Sequence, residues 1–381
     1  MKKNLALLPA AALLVLTGCG SIHAGYREVE QLHLIQTIGI DRRADGVTVS
    51  ISSGQSTDVS STSMARTGRS ITDAIRSLQD FSAREDIFLA HTGYALLGEE
   101  TARRGISGCL DYFQRAGQIP MDIGLLVVCS GTAEALIRDA SAPGTNITEL
   151  LRSLDHAAER DGASYVFSCE EISRALLERG AALICAITAA DTEGVIFTEA
   201  GEKAAVPLGY GLLKGDALCG YITGDAARGV NLLQGQGGLG ELPVEAAGQT
   251  VSLNIRAGGC ALTPRWDGGR LAALELELEL DCAVAELSAG AVLTAADCDA
   301  AADAAADAVS GWVRELLETQ RLFDADFLGL CDKIRMKTPR EFAAAEADWP
   351  AALRDTDYAV AVTAEIRRDY DLYAPEDFAH E

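Results

Sequence analysis

The chain is poor in positive charge: 32 lysines and arginines stand against 56 aspartates and glutamates, a formal net charge of −24. That balance argues against nucleic acid as a partner and against a polybasic grip on anionic lipid. The arrangements that carry the commoner chemistries are missing too. The five histidines, His23, His33, His91, His156 and His380, form neither HxxxH nor HExxH, and no CxxC occurs, so neither metal catalysis nor structural zinc has a ligand set. A GxSxG elbow is absent, which removes the nucleophile signature of an α/β hydrolase. Beyond the N-terminus no apolar run approaches 18 residues, and 123–129 and 181–190 are short enough to be buried strands. The expectation is a protein without catalytic residues, cofactor or metal.

What is present begins at the N-terminus. Lys2 and Lys3 precede an apolar stretch from Leu5 to Leu16, too short to span a bilayer and of the length of a secretory leader. Leu16-Thr17-Gly18-Cys19 closes it with small residues and a cysteine. Residues 1–18 are therefore expected to be removed and Cys19 to become a lipidated N-terminus; an ordinary leader with a coincidental cysteine is the alternative. A thioether-linked diacylglycerol plus an N-acyl chain, at about 0.8 kcal/mol per buried CH₂, suffices for durable anchoring. Loss of Lys2 and Lys3 leaves 30 basic against 56 acidic residues, a charge of −26 on a body repelled by anionic headgroups and held only at its end.

The nine cysteines after Cys19 are odd in number and widely spaced, and several sit inside apolar runs, which favours small buried hydrophobes over a disulfide framework. Gly235-Gln236-Gly237-Gly238-Leu239-Gly240 satisfies GxGxxG, but the segment 241–245 after it reads as loop or strand rather than a helix N-terminus that could receive pyrophosphate, so a flexible loop is expected. Glu275, Glu277, Glu279 and Asp281 alternate with Leu274, Leu276, Leu278 and Leu280; a solvated strand face is expected, with calcium ligation as the alternative. Asp297, Asp299, Asp303 and Asp307 are read the same way, at the head of a helix whose dipole favours anions.

Periodicity predicts strands at 34–41 and 47–53 around Asp45-Gly46, a helix opened by Ser70-x-x-Asp73, one strand over 88–97, one helix over 102–116, a buried strand over 123–129, helices at 132–139, 146–160 and 168–179, and a strand at 181–189. Strands alternating with helices imply an α/β layer. After a polar boundary near residue 200 come a hairpin around Lys214-Gly215-Asp216, a short helix at 225–233, long strands at 251–258 and 271–284, helices at 294–321 and 324–336, and a last strand at 357–368. The apolar face Ala301, Ala305, Val309, Trp312, Val313, Leu316 and Leu317 of the long helix is expected to pack on the C-terminal sheet. The expected class is α/β (α+β), multi-domain: a leader at 1–18, an N-terminal α/β region at 19–200 of one or two subdomains, and a C-terminal α+β domain at 201–381 whose antiparallel sheet is covered by long helices.

Four stretches resemble the Ger(x)C family, the lipoprotein C subunit of spore germinant receptors. Tyr26-Arg27-Glu28-Val29-Glu30-Gln31-Leu32 leading to Ile38-Gly39-Ile40-Asp41 is similar to the family's opening, and Glu85-Asp86-Ile87-Phe88 with His91 to a short acidic lead into a strand. Leu212 to Tyr221 followed by Ala227-Arg228-Gly229 resembles the family's hairpin and helix start, and Asp326-Phe327-Leu328-Gly329, Pro339 and Trp349 its C-terminal helices. The resemblance implies three α/β subdomains and a non-enzymatic role on the extracytoplasmic face of the spore inner membrane. Its partners would be integral-membrane germinant-receptor subunits of an A type and a permease-like B type, with lipid held through Cys19. It also implies partner contacts on surfaces, of which Arg228-Gly229 is the expected exposed candidate. A rival reading is an extracytoplasmic solute-binding lipoprotein.

Overall fold

The computed structural model describes residues 32–53, 62–82, 86–140, 146–162, 164–191, 203–235, 240–246, 248–287 and 293–366. A nine-stranded mixed sheet organises the first part: β1 (Leu32–Arg43), β2 (Gly46–Ser53), β3 (Ser63–Gly68), β4 (Asp86–Phe88), β5 (Tyr94–Gly98), β6 (Gly124–Val128), β7 (Ala181–Asp191), β8 (Lys203–Lys214) and β9 (Ala217–Thr223). They lie in the order β3-β2-β1-β5-β6-β7-β8-β9, with β4 against the start of β1. The centre, β1-β5-β6-β7, is parallel and both flanks are antiparallel.

The parallel centre reads as continuous apolar runs because helices cover both of its faces. Leu125 and Val127 point into a core shared with α1 (Ile71–Phe81), α3 (Ser107–Ala116) and α6 (Cys169–Arg179), while Leu126 and Val128 point into the opposite core with α4 (Ala133–Asp139) and α5 (Ile147–Asp161). Four of the helices on this sheet, α1, α4, α5 and α6, begin where an N-cap side chain satisfies a free N–H group. Ser70 accepts from Asp73, Thr132 from Ala135, Asn146 from Thr148, and Ser168 and Glu171 close a full capping box.

Two expected elements are interrupted. The strand over 88–97 is β4 and β5 separated by a turn, since the Gly93 amide bonds to the Gln36 carbonyl at 2.9 Å and steps the chain along β1. The helix over 102–116 is α2 (Glu99–Arg104) and α3, broken at Gly105 with φ +110°.

The second sheet runs β10 (Glu241–Ala246), β11 (Gln249–Asp267), β12 (Arg270–Leu287) and β13 (Asp357–Ile366). It is antiparallel through β12, and β13 joins β12 parallel, its direction set by the helical crossover α8 (Ala295–Phe323), α9 (Leu330–Lys337), α10 (Pro339–Ala345) and α11 (Trp349–Arg354). Leu274, Leu276, Leu278 and Leu280 are buried and the intervening carboxylates face outward, so one face alone is covered. All seven residues of the expected apolar face of α8 are buried. That helix packs on β13, β10 and α7 (Asp225–Gln234), each fully buried large side chain contributing about 1.5–3 kcal/mol. The two sheets share this core, because Tyr210 and Leu212 of β8 and Ile222 of β9 enter it beside α7 and α8.

Candidate functional site

Cys19, the leader 1–18 and residues 26–31 and 85 of the family-like stretches lie outside the described residues, as do most of the GxGxxG segment and His23 and His380. Among the described residues no helix is long and apolar enough to cross a membrane. Several of the remaining singled-out residues fall at joints between elements, and those of the β8–β9 hairpin reach toward both sheets' helices.

At the first joint, the alternation of β1 sends Gly39 and Asp41 to the side of α4. A Cβ on Gly39 would come within 2.9 Å of Ala133 Cβ and 2.8 Å of Ile137 Cδ1, so the glycine lets α4 seat against the strand. Asp41 is 3% exposed and accepts from the amides of Ala133 at 2.9 Å and Glu134 at 2.8 Å. Burial nevertheless pushes its carboxyl above the usual range against those two bonds. Gly98 lies opposite: a Cβ there would stand 2.1 Å from Asp41 Oδ1.

The hairpin tip Lys214-Gly215-Asp216 reaches in two directions. The Asp216 carbonyl takes the Ile106 amide at 2.8 Å and its carboxylate the Ser107 amide at 3.2 Å, which caps α3. The Ser107 side chain and amide hold Asp216 below the usual carboxylate range, against partial burial. Lys214 Nζ donates to the Phe323 carbonyl at 2.9 Å, at the C-terminal end of α8, where a cation suits the helix dipole. Further along β9, Gly220 leaves room for the Phe323 ring, which a Cβ would approach to 2.5 Å. One β-turn thus joins the first helix layer to the longest helix of the second.

Arg228 and Gly229 sit differently from the exposed conjunction expected of them. Gly229 is buried where α7 crosses α8, 3.5 Å from the Trp312 carbonyl if given a Cβ. Arg228 is half-buried, stacks 4.4 Å above the Trp312 ring, and donates to the Glu241 carbonyl at 2.9 Å, with Asp225 at 3.7 Å. Burial lowers its pKa and Asp225 opposes the shift. The flanking helix α8 hides both residues, because its pairing with α7, which brings Trp312 over them, is not written in the local sequence.

Asp326 gathers the C-terminal motif. It is 1% exposed and accepts from the amides of Leu330 at 2.9 Å and Cys331 at 2.7 Å, and from Trp349 Nε1 at 3.0 Å. Gly329 takes φ +66° at the turn into α9, so the helix expected from 324 begins at Leu330. Phe342 meets the Trp349 ring at 4.9 Å.

Further residues at the junction are not singled out by the sequence reading. Buried Tyr210 donates to Asn231 Oδ1 and accepts from the Tyr165 amide at 2.8 Å, while Asn231 Nδ2 donates to the Gly162 carbonyl at 3.0 Å. Arg179 of α6 pairs with Asp332 of α9 at 2.7 Å. An asparagine inside a helix is the one available hint, since that residue usually prefers caps and turns.

Of the acidic row on β12, Glu275 pairs with Arg265 at 2.7 Å and the other three face outward. Among the described residues no group of three or more His, Cys, Asp or Glu is placed to hold a metal ion. All nine described cysteines are free, and burial pushes the thiols of Cys109 to about 12 and Cys169 and Cys282 to about 11, inert as nucleophiles. The arrangement fixes a shape: carboxylates cap helices, and cations close helix ends.

Two family descriptions match this chain. "Spore germination protein N-terminal domain" covers residues 25–189 and "Spore germination B3/ GerAC like, C-terminal" covers residues 208–370. The two matches meet across the β7–β8 pairing, inside the first sheet. The crystal structure of the GerBC protein is similar to this one with a TM-score of 0.58 at 15% identity, over 87% of this chain and 97% of that one, a likeness of fold. No curated protein matches.

Proposed function

Since the chain belongs to the Ger(x)C family of spore germination proteins, we propose that it is the C subunit of a germinant receptor, tethered to the membrane through Cys19. The observation that carries the reading is the pairing of family matches over both halves with a lipobox at residues 16–19. In this proposal the protein works as a rigid extracytoplasmic body beside integral-membrane A-type and permease-like B-type subunits, in the spore inner membrane, and supports nutrient-triggered germination without catalysis of its own. The staples at the junction favour this role: a body locked by Lys214, Arg179, Asn231 and Asp326 presents a fixed surface. The rival solute-binding reading would place a ligand between the halves, where the cleft lined by Phe167, Arg179 and Phe327 measures about 220 Å³. That is below the roughly 300–1,000 Å³ of common ligand sites.

The test is Cys19→Ala expressed at native level. Loss of the protein from the membrane fraction, together with loss of co-purifying integral subunits and of the nutrient response, is expected. Tight membrane retention in a strain without those subunits would refute the tether.

A further inference from the structure

A surface groove of about 610 Å³ opens between α1 and α3, on the side of the first sheet away from α4. Its apolar lining comes from Ile40 and Val47 on the strands, Ile71 and Ile75 on α1, and Leu89. Alternation along β1 that sends Gly39 and Asp41 toward α4 sends Ile38, Ile40 and Arg42 the other way, so Arg42 is the charged end of an apolar row that lines the groove.

Arg42 is fixed at its root. Its amide donates to Thr101 Oγ1 at 2.7 Å, and that hydroxyl donates on to the Ile40 carbonyl at 3.2 Å. The guanidinium lies over the first turn of α3, where a Cβ on Gly108 would stand 3.2 Å from Nη2. A cation is disfavoured at the positive end of a helix. Yet among the described residues the Arg42 side chain makes no ion pair and no hydrogen bond. The acidic group whose field reaches it, Asp216, already accepts from Ser107. One turn along α3, Tyr112 lines the same wall, and its hydroxyl makes no hydrogen bond among the described residues. At the rim, Arg115 and Asp111 neutralise each other at 2.7 Å. Half-buried Arg42 and Tyr112, with side-chain donors that no described residue takes, therefore line an apolar trough of ligand size, in a chain of net charge −24.

We propose that this groove binds a small organic anion, a carboxylate on an apolar body, with Arg42 forking the carboxylate, Tyr112 able to donate beside it, and the Ile40–Ile75 trough covering the body. The site lies within the first sheet's helix layer and does not depend on the receptor reading. An anion there offsets the positive end of α3 and the guanidinium together, and the planar fork of arginine matches two carboxylate oxygens.

The experiment is calorimetric titration of the detergent-solubilised full chain with 4-phenylbutyrate, with the detergent heat subtracted. Its uncharged counterpart 4-phenylbutan-1-ol, Arg42→Gln and the groove-filling Ile75→Trp serve as comparisons. Saturable binding of the carboxylate is expected, weakened about tenfold or more for the alcohol and for Arg42→Gln, and lost in Ile75→Trp with circular dichroism unchanged. Equal binding of acid and alcohol, unchanged binding by a folded Arg42→Gln, or no saturable heat at millimolar acid would each overturn the site. Should Arg42→Gln fail to fold, the alcohol and Ile75→Trp still decide. Dodecanoate presents the same carboxylate on a lipid chain; Arg42-dependent competition in its favour would assign the anion to lipid, and in favour of 4-phenylbutyrate to soluble metabolites.

Discussion

Asp326 is the buried carboxylate that ties α9 to α11, and its replacement has a cost that can be worked from the structure. Oδ1 receives the Leu330 amide, and Oδ2 receives both the Cys331 amide and Trp349 Nε1, at 2.7–3.0 Å with 1% exposure. Asp326→Asn keeps the shape and puts an NH₂ group where an acceptor stood. Turned one way it strands the Leu330 amide; turned the other it strands the Cys331 amide and the indole. Each buried donor left unsatisfied costs about 1–3 kcal/mol, and the remaining bonds lose their charge assistance, so the expected loss is about 2–4 kcal/mol. Trp349→Phe removes one donor while leaving a ring against Phe342, for a loss of about 1 kcal/mol. The two should couple by about 1 kcal/mol, since in the double variant the introduced side-chain amide no longer opposes an indole N–H. Urea unfolding followed by far-UV circular dichroism reads all three. An Asp326→Asn loss within about 0.5 kcal/mol of zero, or strict additivity with Trp349→Phe, would refute the network as described.

Two further outcomes follow from the junction. Arg228→Glu should lower stability by about 1–3 kcal/mol, through the lost stack on Trp312 and the lost bond to the Glu241 carbonyl, with an anion now beside Asp225; an unchanged melting temperature with normal spore levels would instead return the residue to the exposed surface. Asp216 is held below its usual range in the folded state, so its contribution is present above the unfolded value near 4 and is lost as pH falls through the folded value. Wild type should therefore lose more stability than Asp216→Asn below about pH 4, and parallel acid limbs would remove the cap from the argument.

Much of the fold was legible where a local rule sufficed. Ser70, Ser168 with Glu171, and Thr294 mark helix starts because an N-cap bond spans three residues and is written within a short window. The leucine alternation of β12 and the seven-residue face of α8 were readable for the same reason: one face of each meets the core. Features settled at a distance were not. Gly105 interrupts the helix because Asp216 caps a new start at Ser107, and Asp216 belongs to a hairpin more than a hundred residues on. The parallel direction of β13 is invisible in its side chains, since alternation is identical in both directions and only the α8–α11 crossover decides.

The family-like stretches show the same limit from the other side. Gly39 and Asp41, Lys214 and Asp216, Gly220, and Asp326 with Trp349 stand out in the sequence as though they marked a site, yet each is spent inside the protein, as a cap, a helix closure or a clearance for a ring. Residues consumed in this way fix where surfaces lie and leave the surfaces free to vary. Among the described residues the Arg42 groove, beside the quoted Ile38-Gly39-Ile40-Asp41 stretch, is a place that keeps unspent donors. Recognition by this protein is therefore better sought on the surfaces that its motif residues hold in place than in the motifs themselves.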